Sequence, residues 1–289
     1  MSFLLIRGKY VVVGKQPDGD SIRFAPDDVA LLMALDGPKP KVKPGGSVQL
    51  RLEGIDALET HYTQGHVDLQ HQPLPVARAA RAFLLESLGI QNVVWNEETG
   101  VVTSADDGTR GYILSRTFEK NGRPVAFAYA GDPPEDDGAD VFLDETRLEQ
   151  SVNYASLEEG FCYPTYYDGL FAALRNKMTA ATEKARAAAG VNSVWAIDKT
   201  NAGISIPPVD NLRDNFGMLP KLFRRLSQYF LTHDSLAAFN EFLEADPDPC
   251  VFLPDADPTV FHRFIDVQGS TVRLTVKPEE LMFKEKPAF

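Results

Sequence analysis

Cysteine is scarce in this chain of 289 residues, which contains two. Cys162 and Cys250 lie far apart and in unlike sequence contexts, so they do not predict the disulfide framework of a small secreted domain. We therefore expect a reducing, cytoplasmic setting.

Long apolar runs are also missing, since no segment approaches the roughly 20 residues that a membrane-spanning helix needs. The opening MSFLLIRGKYVVVGK breaks at Arg7 after a short apolar stretch. That stretch is too short for the core of a signal peptide and predicts a strand. We expect no membrane partner.

Positive charge is in deficit, because 29 lysines and arginines face 41 aspartates and glutamates, for a net charge of −12. Proteins that coat nucleic acids by bulk electrostatics need clustered basic residues, so this balance excludes that class. A local positive site inside an acidic body is compatible with it. The sequence contains no repeat, coiled-coil heptad or low-complexity tract, and its length suits one large domain or two modest ones.

Turn signals divide the first half of the chain into short strands. YVVVGKQPDGDSIRF predicts two strands joined by a Pro-Asp-Gly turn, and SVQLRLEGI predicts a third strand whose alternation ends at Gly54, as at a bulge. Further strands are predicted at 91–95, 111–118 and 124–130.

Helical spacing of apolar residues predicts helices at 76–88, in LEQSVNYASLEEG and in DGLFAALRNKMTAATEKARAAAG. These strands and helices predict an α+β domain over residues 1–197. The polar, proline-containing segment 198–215 predicts a linker. Residues 216–289 predict a smaller α+β C-terminal module with a hairpin around Gln268-Gly269-Ser270.

Carboxylates gather at the predicted turns and strand ends. Asp18 and Asp20 flank the glycine of the first turn, Asp56 follows the third strand, and Glu59 comes shortly afterwards. Oxygen ligands of this kind bind Ca²⁺ or Mg²⁺. The competing interpretation of the first pair is an ordinary turn-forming Asp-Gly sequence.

Arg51 and Arg110 provide the complementary charge. A guanidinium offers a planar, always charged fork that matches two phosphate oxygens, and two such groups beside a metal would neutralise a phosphoryl transition state. Taken singly, each arginine is better explained as a solvated strand-face residue (Arg51) or a turn residue (Arg110).

Five segments, in order, resemble the staphylococcal nuclease-like (thermonuclease) family over about residues 9–197: PDGDSIRF, VQLRLEGIDALET, ADDGTRGYIL, SVNYASLEEG and VWAID. The most specific is RLEGIDALE, which is similar to the family signature RLxGIDxPE. The resemblance implies a five-stranded OB-type β-barrel with about three helices. It also implies cleavage of DNA or RNA phosphodiester bonds to leave 3′-phosphate ends, with Ca²⁺ as the usual metal and Mg²⁺ or Mn²⁺ as alternatives.

The resemblance also assigns roles to individual positions. It implies metal binding by Asp20, Asp56 and the backbone carbonyl of Ala57, phosphate binding by Arg51 and Arg110, and catalysis by Glu59. Asp18 matches an acidic position in a supporting role.

Departures from the family pattern lower the activity that we expect. Leu58 replaces a proline that stiffens the loop before Glu59, and small positioning errors cost rate. Asp107 and Gly108 stand where the family commonly has a Lys-Tyr pair.

Candidate substrate contacts lie outside the signature. Tyr166 matches an aromatic position near the nucleotide, although core packing is an equal alternative. The proline-rich arm GPKPKVKPGG carries Lys39, Lys41 and Lys43, which either hold a nucleic-acid backbone or belong to a solvated loop.

The sequence thus predicts a metal-dependent nuclease acting on DNA or RNA. The competing hypothesis is a catalytically weak or inactive nuclease-like module that binds nucleic acid or protein, and a lesser one is a structural interaction protein. Residues 216–289 show no catalytic pattern, so we expect them to pack on the barrel or to bind a protein partner or a second copy. Lys221, Arg224 and Arg225 either extend a nucleic-acid path or are simply solvated.

Overall fold

The computed structural model describes residues 2–40, 42, 45–63, 70–206 and 217–285. The strands are β1 Ser2–Val11, β2 Arg23–Pro26, β3 Val48–Gln49, β4 Arg51–Leu52, β5 Ile55–Ala57, β6 Val94–Asn96, β7 Val101–Ser104, β8 Thr109–Phe118, β9 Pro124–Ala130, β10 Asp140–Phe142, β11 Cys162–Pro164, β12 Tyr166–Tyr167, β13 Ile204–Ser205, β14 Pro249–Phe252, β15 Asp257–Val260, β16 Ile265–Gln268, β17 Thr271–Leu274 and β18 Leu281–Phe283.

Helices alternate with these strands along the chain. They are α1 Val29–Ala34, α2 Leu74–Ser87, α3 Glu145–Glu149, α4 Val152–Glu158, α5 Ala172–Ala188, α6 Val194–Ile197, α7 Pro220–Tyr229 and α8 Phe239–Ala245, with 3-10 turns at Leu236–Ala238, Phe261–Phe264 and Pro278–Glu280.

The main sheet is barrel-like and nearly closed. Its strands follow the order β3-β2-β1-β8-β9-β4, and β10 adds to β1. The strands β3 and β4 lie at opposite ends of this order, yet only Leu50 separates them in sequence. That single residue carries the chain from one end of the sheet path to the other and leaves it nearly closed.

Most predicted elements are present, with two changes. The predicted third strand is divided, because β3 pairs with β2 whereas β4 pairs with β9 in parallel. The predicted second helix is likewise two helices, α3 and α4, and the Ser151 hydroxyl between them accepts a hydrogen bond from the Tyr154 amide. Ser151 therefore starts a new helix, as a capping serine does. The mixed α+β class is confirmed.

The C-terminal module packs directly on the barrel part of the chain. The strand β12 pairs in parallel with β18, and one apolar cluster contains Leu58 and Tyr163 together with Leu222 and Phe223 of α7. Burial of this shared cluster holds α7 against the loop that follows β5.

The predicted linker 198–215 is partly sheet. Ile204 and Ser205 pair with Val272 and Thr271, so this stretch belongs to the three-stranded sheet of β13, β17 and β16. The predicted hairpin is present, with Gln268 opposite Thr271. Residues 207–216 lie outside the described part of the chain. In the ranges that the structure describes, no helix has the length and apolar character that a membrane crossing requires.

Candidate active site

The Asp-Gly-Asp turn presses against β5. The Asp18 amide donates to the Ser21 carbonyl at 3.0 Å, which closes the turn. A Cβ added at Gly19 would lie 2.6 Å from the Cβ of Ala57. Glycine is therefore required at this position for the turn to approach β5, and the approach brings Asp20 beside that strand.

Hydrogen bonds then fix the two segments to each other. The Ala57 amide donates to Oδ2 of Asp20 at 3.3 Å. The Thr60 amide donates to Oδ2 of Asp18 at 3.4 Å. Both carboxylates thus bind backbone amides of the stretch that contains Asp56 and Glu59.

Asp56 lies in β5, which pairs with β11 so that Tyr163 stands opposite it. It is 4 % exposed, and burying a carboxylate without a partner is costly. Its partner is Arg224 of α7, whose Nη2 and Nη1 donate to Oδ2 and Oδ1 at 2.7 and 3.0 Å. The same Nη1 donates to Oε1 of Glu59 at 2.7 Å. One guanidinium therefore bridges both carboxylates.

The loop between Asp56 and Glu59 is anchored rather than loose. Leu58 is fully buried in the cluster that the barrel part shares with the C-terminal module. The Glu59 amide donates to Oε1 of Gln72 at 3.2 Å, and Nε2 of Gln72 donates to the Met218 carbonyl at 2.8 Å. In this chain, apolar burial and one buried amide hold the loop in place of the family's proline.

Arg51 is placed by its aromatic neighbour. Its guanidinium carbon lies 4.2 Å from the centre of the Tyr167 ring, a cation–π contact. Nη1 donates to Oε1 of Glu285 at 2.9 Å, and the Arg51 side chain keeps 20 % of its surface exposed. The guanidinium is thus oriented by protein groups and still reaches solvent.

A single cavity of about 660 Å³ joins these groups. Its lining includes Asp20, Asp56, Glu59, Arg51 and Arg224. Such a volume is in the range of small-molecule sites. Four of the charged positions that the sequence analysis singled out for chemistry therefore face one space, together with an arginine of the C-terminal module.

Basic residues also line the cavity. Burial alone would raise the pKa of Tyr167, but nearby Lys221, Arg51 and Arg224 outweigh burial and lower the pKa of this phenol. Arg123 also lines the cavity. Its amide donates to Oε1 of the buried Glu119 at 3.1 Å, so the turn between β8 and β9 presents this arginine in a fixed way. Positive groups therefore lie beside the carboxylates in this cavity.

The carboxylates carry more negative charge than Arg224 balances. Burial raises the pKa of Asp18 to about 7, and the charge of Asp20 adds to that rise. Burial likewise raises the pKa of Asp20 to about 7, with further contributions from Asp56 and Glu59. For Glu59, burial raises the pKa to about 7 even though Arg224 lowers it. Crowded, buried carboxylates favour either protons or an added cation.

The remaining predicted residues lie elsewhere. Arg110 is not brought to the cavity by the described structure, since Nη1 donates to Asp27 at 2.7 and 2.9 Å and Nη2 donates to Asp132 at 3.3 Å. Tyr166 is fully buried, and its hydroxyl forms a hydrogen bond of 2.9 Å with Oγ1 of Thr179.

Of the lysines in the proline-rich arm, the structure describes Lys39, which makes local contacts. Nζ of Lys39 donates to the carbonyls of Met33 and Leu35 at 2.9 and 3.0 Å, so this lysine closes a local turn. The predictions for Lys41 and Lys43 fall outside the described residues.

Among the residues that line the cavity, Arg123 and Glu285 received no role from the sequence, and Arg224 received only the alternative of a nucleic-acid path. Arg224 had a weak signal as one of three basic residues on a predicted helix, but its partners lie 168 and 165 positions away. Glu285 lies 234 positions from Arg51. No local pattern predicts contacts of this range.

With Arg224 in place, the carboxylates do not stand as a ready metal cage. Within the described ranges, no group of three or more histidine, cysteine, aspartate or glutamate side chains has an arrangement that would hold a metal ion. The donor chemistry itself suits a hard cation, because carboxylate oxygens and a backbone carbonyl are ligands of Ca²⁺ and Mg²⁺.

Gly54 permits the turn from β4 into β5, and we expect its replacement to destabilise the protein. Its φ is +77° and an added Cβ would lie 2.6 Å from Cε of Met178. Gly14 is a matched control, since its φ is +72° and nothing lies near its added Cβ. Each change to alanine should cost about 1–2 kcal/mol for the left-handed backbone. Gly54→Ala should cost more than Gly14→Ala in urea unfolding, and equal losses would contradict the packing argument.

Comparison with known sequences gives no further guide. No protein-family model matches the chain, and no curated protein matches it.

Proposed function

We propose that this chain is a metal-dependent nuclease that hydrolyses phosphodiester bonds of DNA or RNA on an OB-type barrel. The observation that carries the proposal is the convergence of Asp20, Asp56, Glu59 and Arg51 on one cavity. These residues come from two separate segments, and two hydrogen bonds join the segments, from the Ala57 amide to Asp20 and from the Thr60 amide to Asp18. They are also residues to which the thermonuclease resemblance gives roles.

The carboxylates are the residues that would hold a divalent cation. Asp20 and Asp56, with the Ala57 carbonyl, are its expected ligands, and their surplus negative charge fits such an ion. When bound, Ca²⁺ or another divalent ion would supply charge stabilisation at the phosphate.

Arg51 is the residue best placed to orient the phosphate. Stacking on Tyr167 fixes the plane of its guanidinium, and its partner Glu285 is a carboxylate that a phosphate would replace. The second arginine of this site is Arg123 rather than Arg110, because Arg123 lines the cavity and its charge acts on Asp20. Two guanidinium groups would then stabilise the charge that develops on the phosphoryl oxygens.

Glu59 would accept the proton of the attacking water. A carboxyl whose pKa lies near 7 is well matched to proton transfer at neutral pH. The water oxygen bonds to phosphorus, the bond between phosphorus and the 5′ oxygen breaks, and that oxygen leaves as a hydroxyl after taking a proton from solvent. The products are a 3′-phosphate and a 5′-hydroxyl end.

A second candidate is a nuclease-like module without catalysis. The observation that favours it is that Arg224 forms ion pairs with both Asp56 and Glu59. A permanent ion pair there would convert the metal position into a structural junction between α7 and β5. Such a chain would bind nucleic acid or protein without cutting.

Cleavage assays on the full chain separate the two candidates. We expect cleavage of labelled single-stranded DNA, duplex DNA or RNA with CaCl₂ or MgCl₂, and none with chelator. Glu59→Gln and Arg51→Gln should each lower the rate about 100-fold or more. Arg123→Gln should lower it more than Arg110→Gln.

Two results would count against the nuclease. Absence of metal-dependent cleavage, or equal rates in Glu59→Gln and the unaltered chain, contradicts it, and binding that persists without cleavage supports the second candidate. A larger loss in Arg110→Gln than in Arg123→Gln would return the phosphate role to Arg110.

A further inference from the structure

Arg224 stands where a cation is expected. Its guanidinium binds both oxygens of Asp56 and one oxygen of Glu59 at 2.7–3.0 Å. It comes from α7, whose Leu222, Phe223 and Leu226 are fully buried, so the helix holds the arginine in place. A positive charge from the C-terminal module therefore occupies two carboxylates of the candidate site.

Glu285 stands where a phosphate is expected. Its carboxylate accepts from Arg51 at 2.9 Å, and planar anions of this kind match the guanidinium as a phosphate does. Glu285 follows β18, which pairs in parallel with β12. Because Tyr167 in β12 also stacks on Arg51, the strand pairing fixes the anion and the aromatic ring on the same arginine.

We propose that the C-terminal module is a built-in inhibitor of this site, with Arg224 in place of the divalent cation and Glu285 in place of the substrate phosphate. The inference rests on the proposed nuclease function and adds its regulation. Both contacts involve residues with proposed roles, and both have the charge sign of the ligand they replace. Metal and nucleic acid must displace them to form a working complex.

Arg224 and Glu285 compete with free ligands for the same positions. An intramolecular group acts at a high effective concentration, so it lowers the apparent affinity of a free ligand for the same position. The guanidinium carries one positive charge, whereas a divalent ion carries two and would satisfy Asp20 as well. Displacement is therefore favourable when the ion is abundant, and the site is held in a latent state when it is scarce.

The contacts also differ from ordinary surface pairs. The side chains of Asp56 and Glu59 are 6 % and 14 % exposed, so solvent screens these pairs less than it would screen pairs on the surface. A purely structural junction between module and barrel predicts the same geometry. Cleavage at low calcium distinguishes the two, because loss of an inhibitor increases the rate there, whereas loss of a structural junction does not.

Calorimetric titration of the full chain with CaCl₂ tests the cation half of the proposal, in which Arg224 takes the place of the divalent cation. Removing the competing charge in Arg224→Gln should tighten calcium binding about tenfold or more relative to the unaltered chain. Arg224→Lys keeps a charge without the two-pronged contact and should give an intermediate affinity. Arg273→Gln removes an arginine of the same module that pairs with Asp266, and it should leave the affinity unchanged.

Binding of a labelled single-stranded DNA oligonucleotide, measured in the presence of chelator, tests the phosphate half of the proposal, in which Glu285 takes the place of the substrate phosphate. Glu285→Gln should tighten binding about threefold or more, and Glu280→Gln, in the same module, should tighten it much less. This arm needs no metal and no cleavage. Thermal unfolding of each variant verifies that it is folded.

The outcomes separate the inhibitor from the nuclease. If the unaltered chain cleaves but Arg224→Gln binds calcium no more tightly and Glu285→Gln binds DNA no more tightly, the inhibitor is overturned and the nuclease stands. If no variant binds calcium, the metal-dependent nuclease and the cation half fail together. Tighter binding in both variants, with faster cleavage at low calcium in Arg224→Gln, supports the proposal.

Discussion

With divalent cations chelated, we expect the free energy of unfolding to fall as the pH rises from about 5 to about 8. Burial raises the pKa of four carboxyl groups to about 7, those of Asp18, Asp20, Glu53 and Glu59. In the unfolded chain, the same groups release their protons near the ordinary values of 3.8 for aspartate and 4.5 for glutamate.

The direction follows from which state holds the protons. Between about pH 4.5 and 7, the folded chain keeps protons that the unfolded chain has already lost, so lower pH favours folding. This stabilising contribution is present at low pH and is lost as the pH rises through 7. Each retained proton changes the free energy of unfolding by at most about 1.4 kcal/mol per pH unit. Urea titrations at fixed ionic strength between these pH values measure the slope.

A single variant tests whether the carboxylates of the cavity cause this pH dependence of the free energy of unfolding. Asp20→Asn removes one of the crowded charges, so it should flatten the pH dependence and raise stability at pH values near 8. Asp255 is exposed, and Asp255→Asn should leave the slope as it is. Stability that rises between pH 5 and 8, or an equal slope in Asp20→Asn, would contradict the charge surplus at this site.

Local sequence predicted the turns and strand ends that carry the acidic residues of the cavity, whereas the meeting of the two acidic segments was expected from the family resemblance. Asp20, Asp56 and Glu59 lie at turns and strand ends, and short-range turn chemistry with one bulge glycine determines where such residues point. The division of the third strand at Leu50 was not predictable in the same way. Its alternation continues through Leu50, and only the choice of two different partner strands separates β3 from β4.

The basic half of the site depends on tertiary contacts. Arg110 occupies the position that the family pattern uses for a phosphate-binding arginine, yet its side chain pairs with Asp27 and Asp132. Those partners come from distant segments, and nothing in the residues around Arg110 indicates them. The contacts of Arg224 and Glu285 are of the same kind, because they arise from packing of the C-terminal module on the barrel. Their charge makes such residues candidates in the sequence, but tertiary packing determines which partners they contact.

Replacement of Leu58 is the second change for which we expect a large effect on stability. The role of this residue differs from the one expected when leucine replaces the proline of the family pattern. The sequence predicted a looser loop before Glu59, whereas the side chain is fully buried among residues of both parts of the chain. Two structural features depend on this side chain: the position of Glu59 and the packing of α7 against β5.

We expect Leu58→Ala to lower the free energy of unfolding by about 2–5 kcal/mol, because it leaves a cavity in a packed core. Leu58→Met preserves volume and should cost less than about 1.5 kcal/mol. Leu231 is 42 % exposed, so Leu231→Ala is a matched change of the same chemistry outside the core and should cost little. Urea unfolding measures all three. A loss in Leu58→Ala no greater than that in Leu231→Ala would mean that the shared cluster does not hold the two parts together, and the anchoring of Glu59 would need another cause.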